Sequence, residues 1–192
     1  ALEEARGAIS KAGGAAASVA GDVGKRASLA ALAEAAAKPF GAIDIAVHAA
    51  GLNHRQSADE ITDAAWDEQI EVMLSAPFFL SRAFVPGMKA KAWGRILNIA
   101  SLQSYRAFPK GAPYGAAKGG IVQLTRAMAE EWSRFGINAN AIAPGFFPTA
   151  LTAPVYDDAA RVGALAAQTA IGRNGELADL QGAAVFLCSP AS

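Results

Sequence analysis

The stretch NIASLQSYRAFPKGAPYGAAKGG, residues 98–120, decides the fold. It starts in an apolar segment, residues 94–101, and runs into an Ala-rich helical pattern. Tyr114 and Lys118 are four residues apart, so they lie on one face of that helix. Ser101 follows the apolar segment and meets Tyr114 if the loop folds back. Because a nearby ammonium favours the phenolate, we expect Lys118 to lower the pKa of Tyr114 and the three residues to form a proton-transfer site.

Apolar, strand-like segments alternate with helical ones along the rest of the chain. The segments predict strands at 15–23, 42–51, 94–101 and 137–145, and helices at 1–13, 26–38, 62–90, 112–135 and 176–188. This alternation predicts a parallel sheet with right-handed crossovers. The strands are apolar throughout, which predicts helices on both faces. Pro77 is expected to bend the third helix, and residues 146–175 are expected to be mobile.

The composition is that of a globular α/β protein. Hydrophobic residues make up 53% of the 192 residues, and the net charge is +0, so bulk charge does not favour binding to nucleic acid or to an anionic membrane. No apolar run approaches the length of about 18–20 residues that a membrane span needs. The single cysteine, Cys188, excludes an intrachain disulfide and favours a cytoplasmic location. We expect one domain over residues 1–192, and the helix-like start predicts that the chain is either part of a longer polypeptide or a truncated copy.

Polar and small residues follow each predicted strand. Asp22 follows the first strand, the turn His48-Ala49-Ala50-Gly51 the second, Ser101 the third, and Pro144-Gly145 the fourth. Ligands of parallel α/β sheets bind beyond the carboxyl ends of the strands. These residues are therefore predicted to share one site.

Taken together, these features resemble the short-chain dehydrogenase/reductase family over essentially all 192 residues. The features are Asp22-Val23, the turn at 48–51, Ser101 with Tyr114 and Lys118, and Pro144-Gly145 with Thr149. The resemblance implies a Rossmann-like, doubly wound parallel sheet and an oxidoreductase using NAD or NADP. It implies that Tyr114 is the general acid or base, that Ser101 orients the reacting oxygen, and that Lys118 binds the nicotinamide ribose.

The same resemblance assigns cofactor contacts and a substrate class. The cofactor contacts would be Asp22, Val23, Ala49, Ala50, Gly51, Tyr114, Lys118, Pro144, Gly145 and Thr149, with no metal. The chain is most similar to the sugar and sugar-acid dehydrogenases, which implies a small polar substrate and a homodimer or homotetramer. Arg55 and Arg106 either pair with a substrate carboxylate or are solvated surface arginines. Further candidates for the pocket lining are His54, Gln103, Phe147 and Tyr156.

The sequence departs from the family pattern at three points, and these departures bear on the implied dehydrogenase function. The family's first two strands, its Gly-rich phosphate turn and its last strand have no counterpart in residues 1–192. The strand near 15–20 is therefore expected to lack partners, and the strand near 43–49 to lack a partner on one side. Met73 stands where the family has a catalytic Asn that holds a relay water, and His48 replaces the first Asn of the turn. The alternative function is a catalytically impaired relative that serves as a binding or scaffold domain.

Overall fold

Three of the four predicted strands form a parallel sheet in the order β1-β2-β3. The computed structural model describes all 192 residues. The strands are β1 (Ile45–His48), β2 (Gly94–Ile99) and β3 (Ile137–Ile142). β2 lies in the centre, with Gly94 beside Ile137 and Ile99 beside Ile142. The predicted α/β class with a parallel sheet is confirmed.

Eight α-helices connect and flank the strands. They are α1 (Leu2–Lys11), α2 (Leu29–Ala37), α3 (Asp63–Ile70), α4 (Ala76–Ala90), α5 (Ala112–Trp132), α6 (Ala153–Tyr156), α7 (Ala159–Ala166) and α8 (Gln181–Leu187). Short 3-10 turns lie at Arg26–Ser28, Ala58–Glu60, Leu102–Ser104, Ser133–Phe135 and Leu177–Leu180. The predicted helices are found close to their expected bounds, and the segment 146–175 contains α6 and α7. No helix combines the length and the apolar character that crossing a membrane would require.

Helices cover both faces of the central strand. On one face, Ile96 of β2 packs with Met88 of α4 and Met128 of α5 in the main core cluster. On the other face, the guanidinium of Arg95 donates to the carbonyl oxygens of Ser189 (3.1 Å) and Ser192 (2.7 Å), which follow α8. The residues of β2 alternate between these two layers, as a doubly wound sheet requires.

The first predicted strand, residues 15–23, is wrong. This segment forms no ladder and has no regular secondary structure over residues 15–22. An extended segment becomes a strand only where a neighbour receives its backbone hydrogen bonds, and none lies beside it here.

The second strand has a partner on one side only, as predicted for the region 43–49. β1 pairs with β2 and leaves its other edge open. Ile45 and Val47 of β1 are 41% and 52% exposed, whereas Ala46 is buried against the main core. Coverage of both faces therefore holds for β2 but not for β1.

The long helix predicted at 62–90 is interrupted by a π-helical turn at Glu71–Ser75. It begins at Thr62, whose side chain accepts a hydrogen bond from the Ala65 N–H (3.2 Å). Pro77 has no N–H to donate to the Met73 carbonyl, and its ring crowds that carbonyl, so the chain widens just before the proline. A bend is expected at Pro77, and the structure has a π-helical turn just before this residue.

Candidate active site

A cavity of about 520 Å³ lies at the carboxyl ends of the three strands. Eight of the eleven predicted site residues line it: Ala49, Gly51, Ser101, Tyr114, Lys118, Pro144, Gly145 and Thr149. An adjoining cavity of about 80 Å³ shares Ser101 and Tyr114 and adds Arg55 and Gln103 to its wall. The parallel sheet therefore brings residues from four chain segments to one place.

Tyr114 lies in the first turn of α5 and is 8% exposed. Burial disfavours the phenolate and raises the pKa of Tyr114, while the Ser101 hydroxyl and the charge of Arg55 act in the opposite direction. The pKa of Tyr114 is raised overall, because burial outweighs these two groups. The lowering of the Tyr114 pKa by Lys118 stays a prediction.

Lys118 follows Tyr114 by one helical turn, and it is 5% exposed. Its Nζ donates to the carbonyl oxygen of Ile99, the last residue of β2, and lies 5.8 Å from the centre of the Tyr114 ring. Burial lowers the pKa of Lys118 to about 8. The ammonium has three N–H donors and one protein acceptor, so it can bind further oxygen atoms in the cavity.

Ser101 begins the 3-10 turn that follows β2. Its Oγ accepts a hydrogen bond from the N–H of Gln103 (3.2 Å). A hydroxyl that accepts in this way keeps its own proton for donation. Ser101 can therefore donate a hydrogen bond to an oxygen atom in the cavity or to Tyr114.

Arg55 lies in the loop after β1, beside Tyr114, in an unusual backbone conformation. Its φ is 54°, in the left-handed region that non-glycine residues rarely adopt. The Asn53 side chain accepts the Arg55 N–H (3.1 Å), and the Arg55 Nη2 donates to the Leu151 carbonyl (3.2 Å). Backbone strain of this kind is concentrated at functional sites. Of the two arginines proposed for a carboxylate, Arg55 is the one beside Tyr114.

The remaining predicted cofactor contacts lie outside the 520 Å³ cavity. Asp22 is exposed, and its Oδ1 caps a turn by accepting the Gly24 N–H (2.9 Å). Val23 packs against the buried cluster that contains Met73 and Tyr114. Val23 and Ala50 line a small cavity of about 120 Å³ on the side of β1.

The other predicted lining residues divide into two groups. Gln103 and Phe147 line the cavities beside Tyr114. Arg106 stacks over Phe108 and lines neighbouring cavities instead. His54 pairs with Glu68 at 2.7 Å, and Tyr156 lines none of the cavities described. The structure does not bring these last three to Tyr114.

Two hydroxyl residues that sequence reasoning missed organise the site. Thr152 Oγ1 accepts the Thr149 N–H (2.9 Å) and donates to the Phe147 carbonyl, which shapes the turn after β3. Ser104 connects Ser101 to α5, as described below. The spacing of Ser101 and Ser104, a hydroxyl residue followed by another polar residue three positions later, is a helix-start signal that could have indicated Ser104.

Met73 occupies the π-turn directly behind the site. It is 1% exposed and packs with Tyr114 and Ala117. A thioether is a weak acceptor and donates nothing, so Met73 forms an apolar wall here and does not hold a water by donation. No group of three or more His, Cys, Asp or Glu side chains comes together in the structure.

His48, at the end of β1, forms a partly buried hydrogen bond to α4. Its Nε2 lies 2.8 Å from the Oγ of Ser81, which is fully buried. Burial disfavours the imidazolium and lowers the pKa of His48 to about 4. The neutral ring therefore joins the strand end that carries Ala49 and Gly51 to the helix beneath it.

This depressed pKa predicts a loss of stability in mild acid. Between pH 6.5 and 4 the unfolded chain binds a proton at His48 that the folded chain does not, so the free energy of unfolding falls as pH falls. The loss should reach about 3 kcal/mol at pH 4, because each pKa unit corresponds to about 1.4 kcal/mol. Urea unfolding of the protein and of His48→Asn across this range checks it. An equal slope in both proteins between pH 6.5 and 5 would contradict the assignment to His48.

Comparison with known proteins gives the family. The family model described as Enoyl-(Acyl carrier protein) reductase matches residues 1–192. With this match, the parallel sheet and the Ser101, Tyr114 and Lys118 cluster, the chain belongs to the short-chain dehydrogenase/reductase family.

Its relatives include sugar-acid dehydrogenases. The chain is 39% identical over 155 residues to gluconate 5-dehydrogenase of Gluconobacter oxydans, covering 81% of this chain and 60% of the relative. It is 38% identical over 176 residues to 2-dehydro-3-deoxy-D-gluconate 5-dehydrogenase of Escherichia coli K12, covering 91% and 70%. The crystal structure of a gluconate 5-dehydrogenase from Burkholderia cenocepacia in complex with NADP and tartrate superposes with a TM-score of 0.92 at 38% identity, covering 98% of this chain and 74% of that one.

The chain spans less than two thirds of the length of the first of these relatives.

Proposed function

We propose that this chain carries the catalytic residues of an NADP- or NAD-dependent dehydrogenase that acts on a hydroxyl group of a sugar acid. The observation that carries the proposal is the convergence of Ser101, Tyr114 and Lys118 on one cavity, with Arg55 beside Tyr114. The relatives named for gluconate and for 2-dehydro-3-deoxy-D-gluconate, and the related structure with NADP, support the substrate class and the cofactor.

In this proposal each residue of the triad has a role. Tyr114 takes the proton of the substrate hydroxyl at its phenol oxygen during oxidation and returns it during reduction. Ser101 donates a hydrogen bond to the reacting oxygen, because its Oγ accepts from the Gln103 N–H and keeps its own proton for donation. Lys118 places a buried positive charge one helical turn from Tyr114. When bound, the nicotinamide supplies the hydride chemistry.

The residues present fit the nicotinamide and ribose part of such a cofactor. The Lys118 ammonium has spare donors for a ribose diol, and Ala49 and Gly51 leave the backbone open to the cavity. Pro144, Gly145 and Thr149 form the opposite wall. A pyrophosphate needs a cluster of backbone N–H groups at a helix start, and the Gly-rich turn that supplies it in the family is not in this sequence.

Turnover and binding together test the proposal. The protein is incubated with D-gluconate and with 2-dehydro-3-deoxy-D-gluconate, each with NADP and with NAD, and formation of reduced nicotinamide is followed by absorbance. Calorimetry measures cofactor binding in parallel. Binding with turnover of a sugar acid supports the proposal, and turnover of neutral alcohols alone would exclude the substrate class.

Arg55 provides a sharper test of the substrate class. Its guanidinium lies beside Tyr114 and matches a carboxylate with two hydrogen bonds. Arg55→Gln should raise KM for D-gluconate by roughly 10-fold to 100-fold, the loss expected for a charge-assisted hydrogen bond. KM for glucitol, the neutral polyol of the same length, should change far less.

The matched control for Arg55 is Arg106→Gln, since Arg106 stacks on Phe108 away from the triad. Steady-state kinetics of the two variants with both substrates give the comparison. Equal KM changes for D-gluconate in the two variants would rule out a specific role for Arg55.

A second candidate function is favoured by Met73. The buried thioether stands at the position of the family's relay Asn and closes the space behind Tyr114 with apolar atoms. A relative impaired in this way would serve as a binding or scaffold domain. A folded protein that binds neither NADP nor NAD in calorimetry, and turns over no sugar acid, would support this alternative over the enzyme.

A further inference from the structure

Ser104 occupies the junction between β2 and α5. It is the last residue of the 3-10 turn Leu102–Ser104, and it has no role in the proposed proton transfer. Its Oγ accepts a hydrogen bond from the Ser101 N–H (3.2 Å) and donates one to the Lys118 carbonyl oxygen (2.5 Å). One hydroxyl therefore connects the backbones of two triad residues that are 17 positions apart in the sequence.

The hydroxyl group is well suited to this double role. A serine Oγ donates one hydrogen bond and accepts others, so it can join a backbone N–H to a backbone carbonyl. Alanine provides neither function. The Ser104 Oγ holds the backbone N–H of Ser101. Because the backbone conformation of Ser101 sets the direction of its side chain, this hydrogen bond also orients the Ser101 hydroxyl.

The Lys118 end of the connection is held from a second direction. The Lys118 Nζ donates to the Ile99 carbonyl at the end of β2. Lys118 is thus tied to the strand end by its side chain and to the following turn by its carbonyl. Tyr114 lies one turn earlier on the same helix face, so its separation from Ser101 depends on these two ties.

We propose that Ser104 is a positioning residue, which holds Ser101 at hydrogen-bonding range of Tyr114 by fixing the turn after β2 to α5. The inference rests on the proposed dehydrogenase function for its kinetic consequence. Its structural consequence, the relative placement of Ser101 and Tyr114, stands without that function.

The kinetic test compares Ser104→Ala and Ser104→Thr with the unmodified protein. Ser104→Ala should lower kcat by about 10-fold to 100-fold, the cost of misplacing a reacting group by about 1 Å, while KM changes less than about 2-fold. Ser104→Thr keeps the hydroxyl and should restore most of kcat. Ser101→Ala combined with Ser104→Ala should be no slower than Ser101→Ala alone, because Ser104 acts through Ser101.

Two controls separate positioning from a general loss of stability. Thr62→Ala removes the N-cap hydroxyl of α3, far from the triad in the sequence, and should lower the Tm without lowering kcat. Ser133→Ala, at the other end of α5, removes an exposed hydroxyl that makes no hydrogen bond and should change neither quantity. An equal fall of kcat in Ser104→Ala and Thr62→Ala would overturn the proposal.

A crystal structure of Ser104→Ala provides a readout that needs no turnover. The Ser101 Oγ should move relative to the Tyr114 Oη by more than about 0.5 Å, the tolerance of a positioned catalytic group. An unchanged separation would overturn the role of Ser104 even in an active enzyme. A protein without turnover in which the separation does change would instead contradict the proposed function and leave the positioning role supported.

Discussion

Tyr114→Phe is expected to lower kcat for sugar-acid oxidation by about 10²-fold to 10⁴-fold, the usual contribution of a placed acid or base. The phenylalanine ring fills the same space, and only the hydroxyl that meets the cavity is lost. Folding stability and cofactor affinity should therefore change little. Initial rates from nicotinamide absorbance, calorimetry of cofactor binding and a thermal melt measure the three quantities.

Tyr105→Phe is the matched control for this substitution. Tyr105 is 68% exposed, in the loop between β2 and α5. Loss of its hydroxyl should leave kcat unchanged. Should Tyr114→Phe keep more than about one tenth of the activity, Tyr114 would not be the general acid or base of the reaction.

Gly136→Ala is expected to destabilise the fold by roughly 4 kcal/mol or more, at the upper end for single substitutions. Gly136 has a φ of 75°, between the end of α5 and the start of β3. A Cβ there would lie 2.1 Å from the Ala92 carbonyl oxygen and 2.8 Å from its carbon. Both neighbours are backbone atoms, and the Gly136 carbonyl also accepts the Gly94 N–H (3.1 Å), so local relaxation would break the start of two strands.

Equilibrium unfolding in urea measures this loss. Gly163→Ala is the control, because Gly163 lies within α7 and a Cβ there would meet no atom within 4 Å. It should be neutral or stabilising by up to about 1 kcal/mol, since alanine favours the helix. A Gly136→Ala protein within about 1 kcal/mol of the unmodified one would show that the turn adapts, contrary to the geometry.

The apolar pattern of a segment predicts that it can form a strand, but it does not show whether another strand lies beside it. The apolar runs around Ile45, Ile96 and Ala139 become strands because each has a neighbour in the sheet. Residues 15–23 have a similar apolar pattern and remain irregular, since a ladder needs two segments and the pattern of one does not show the other. For the same reason the pattern did not show that Val47 faces solvent.

The site could be predicted as a set of backbone positions but not as a set of charges. Strand ends and the helical period suffice to place Ser101, Tyr114 and Lys118 together. The charged side chain that shifts the pKa of Tyr114 depends on where each side chain points, and sequence spacing does not determine that direction. The Lys118 ammonium turns to the Ile99 carbonyl, and the charge that opposes the effect of burial on the pKa of Tyr114 comes from Arg55, in a loop 59 positions earlier.

The π-turn at Glu71–Ser75 determines where this part of the chain can change its length. A one-residue deletion within a regular helix rotates all that follows by about 100°, which would carry Val85 and Met88 away from the core. A π-turn contains one residue more than an α-turn, so a deletion inside it leaves α3 and α4 facing as before. The shortened helix would then meet the ring of Pro77, at about 3 kcal/mol. Loss of one residue here is therefore coupled to replacement of that proline, and a relative that has the deletion should also lack proline at this position.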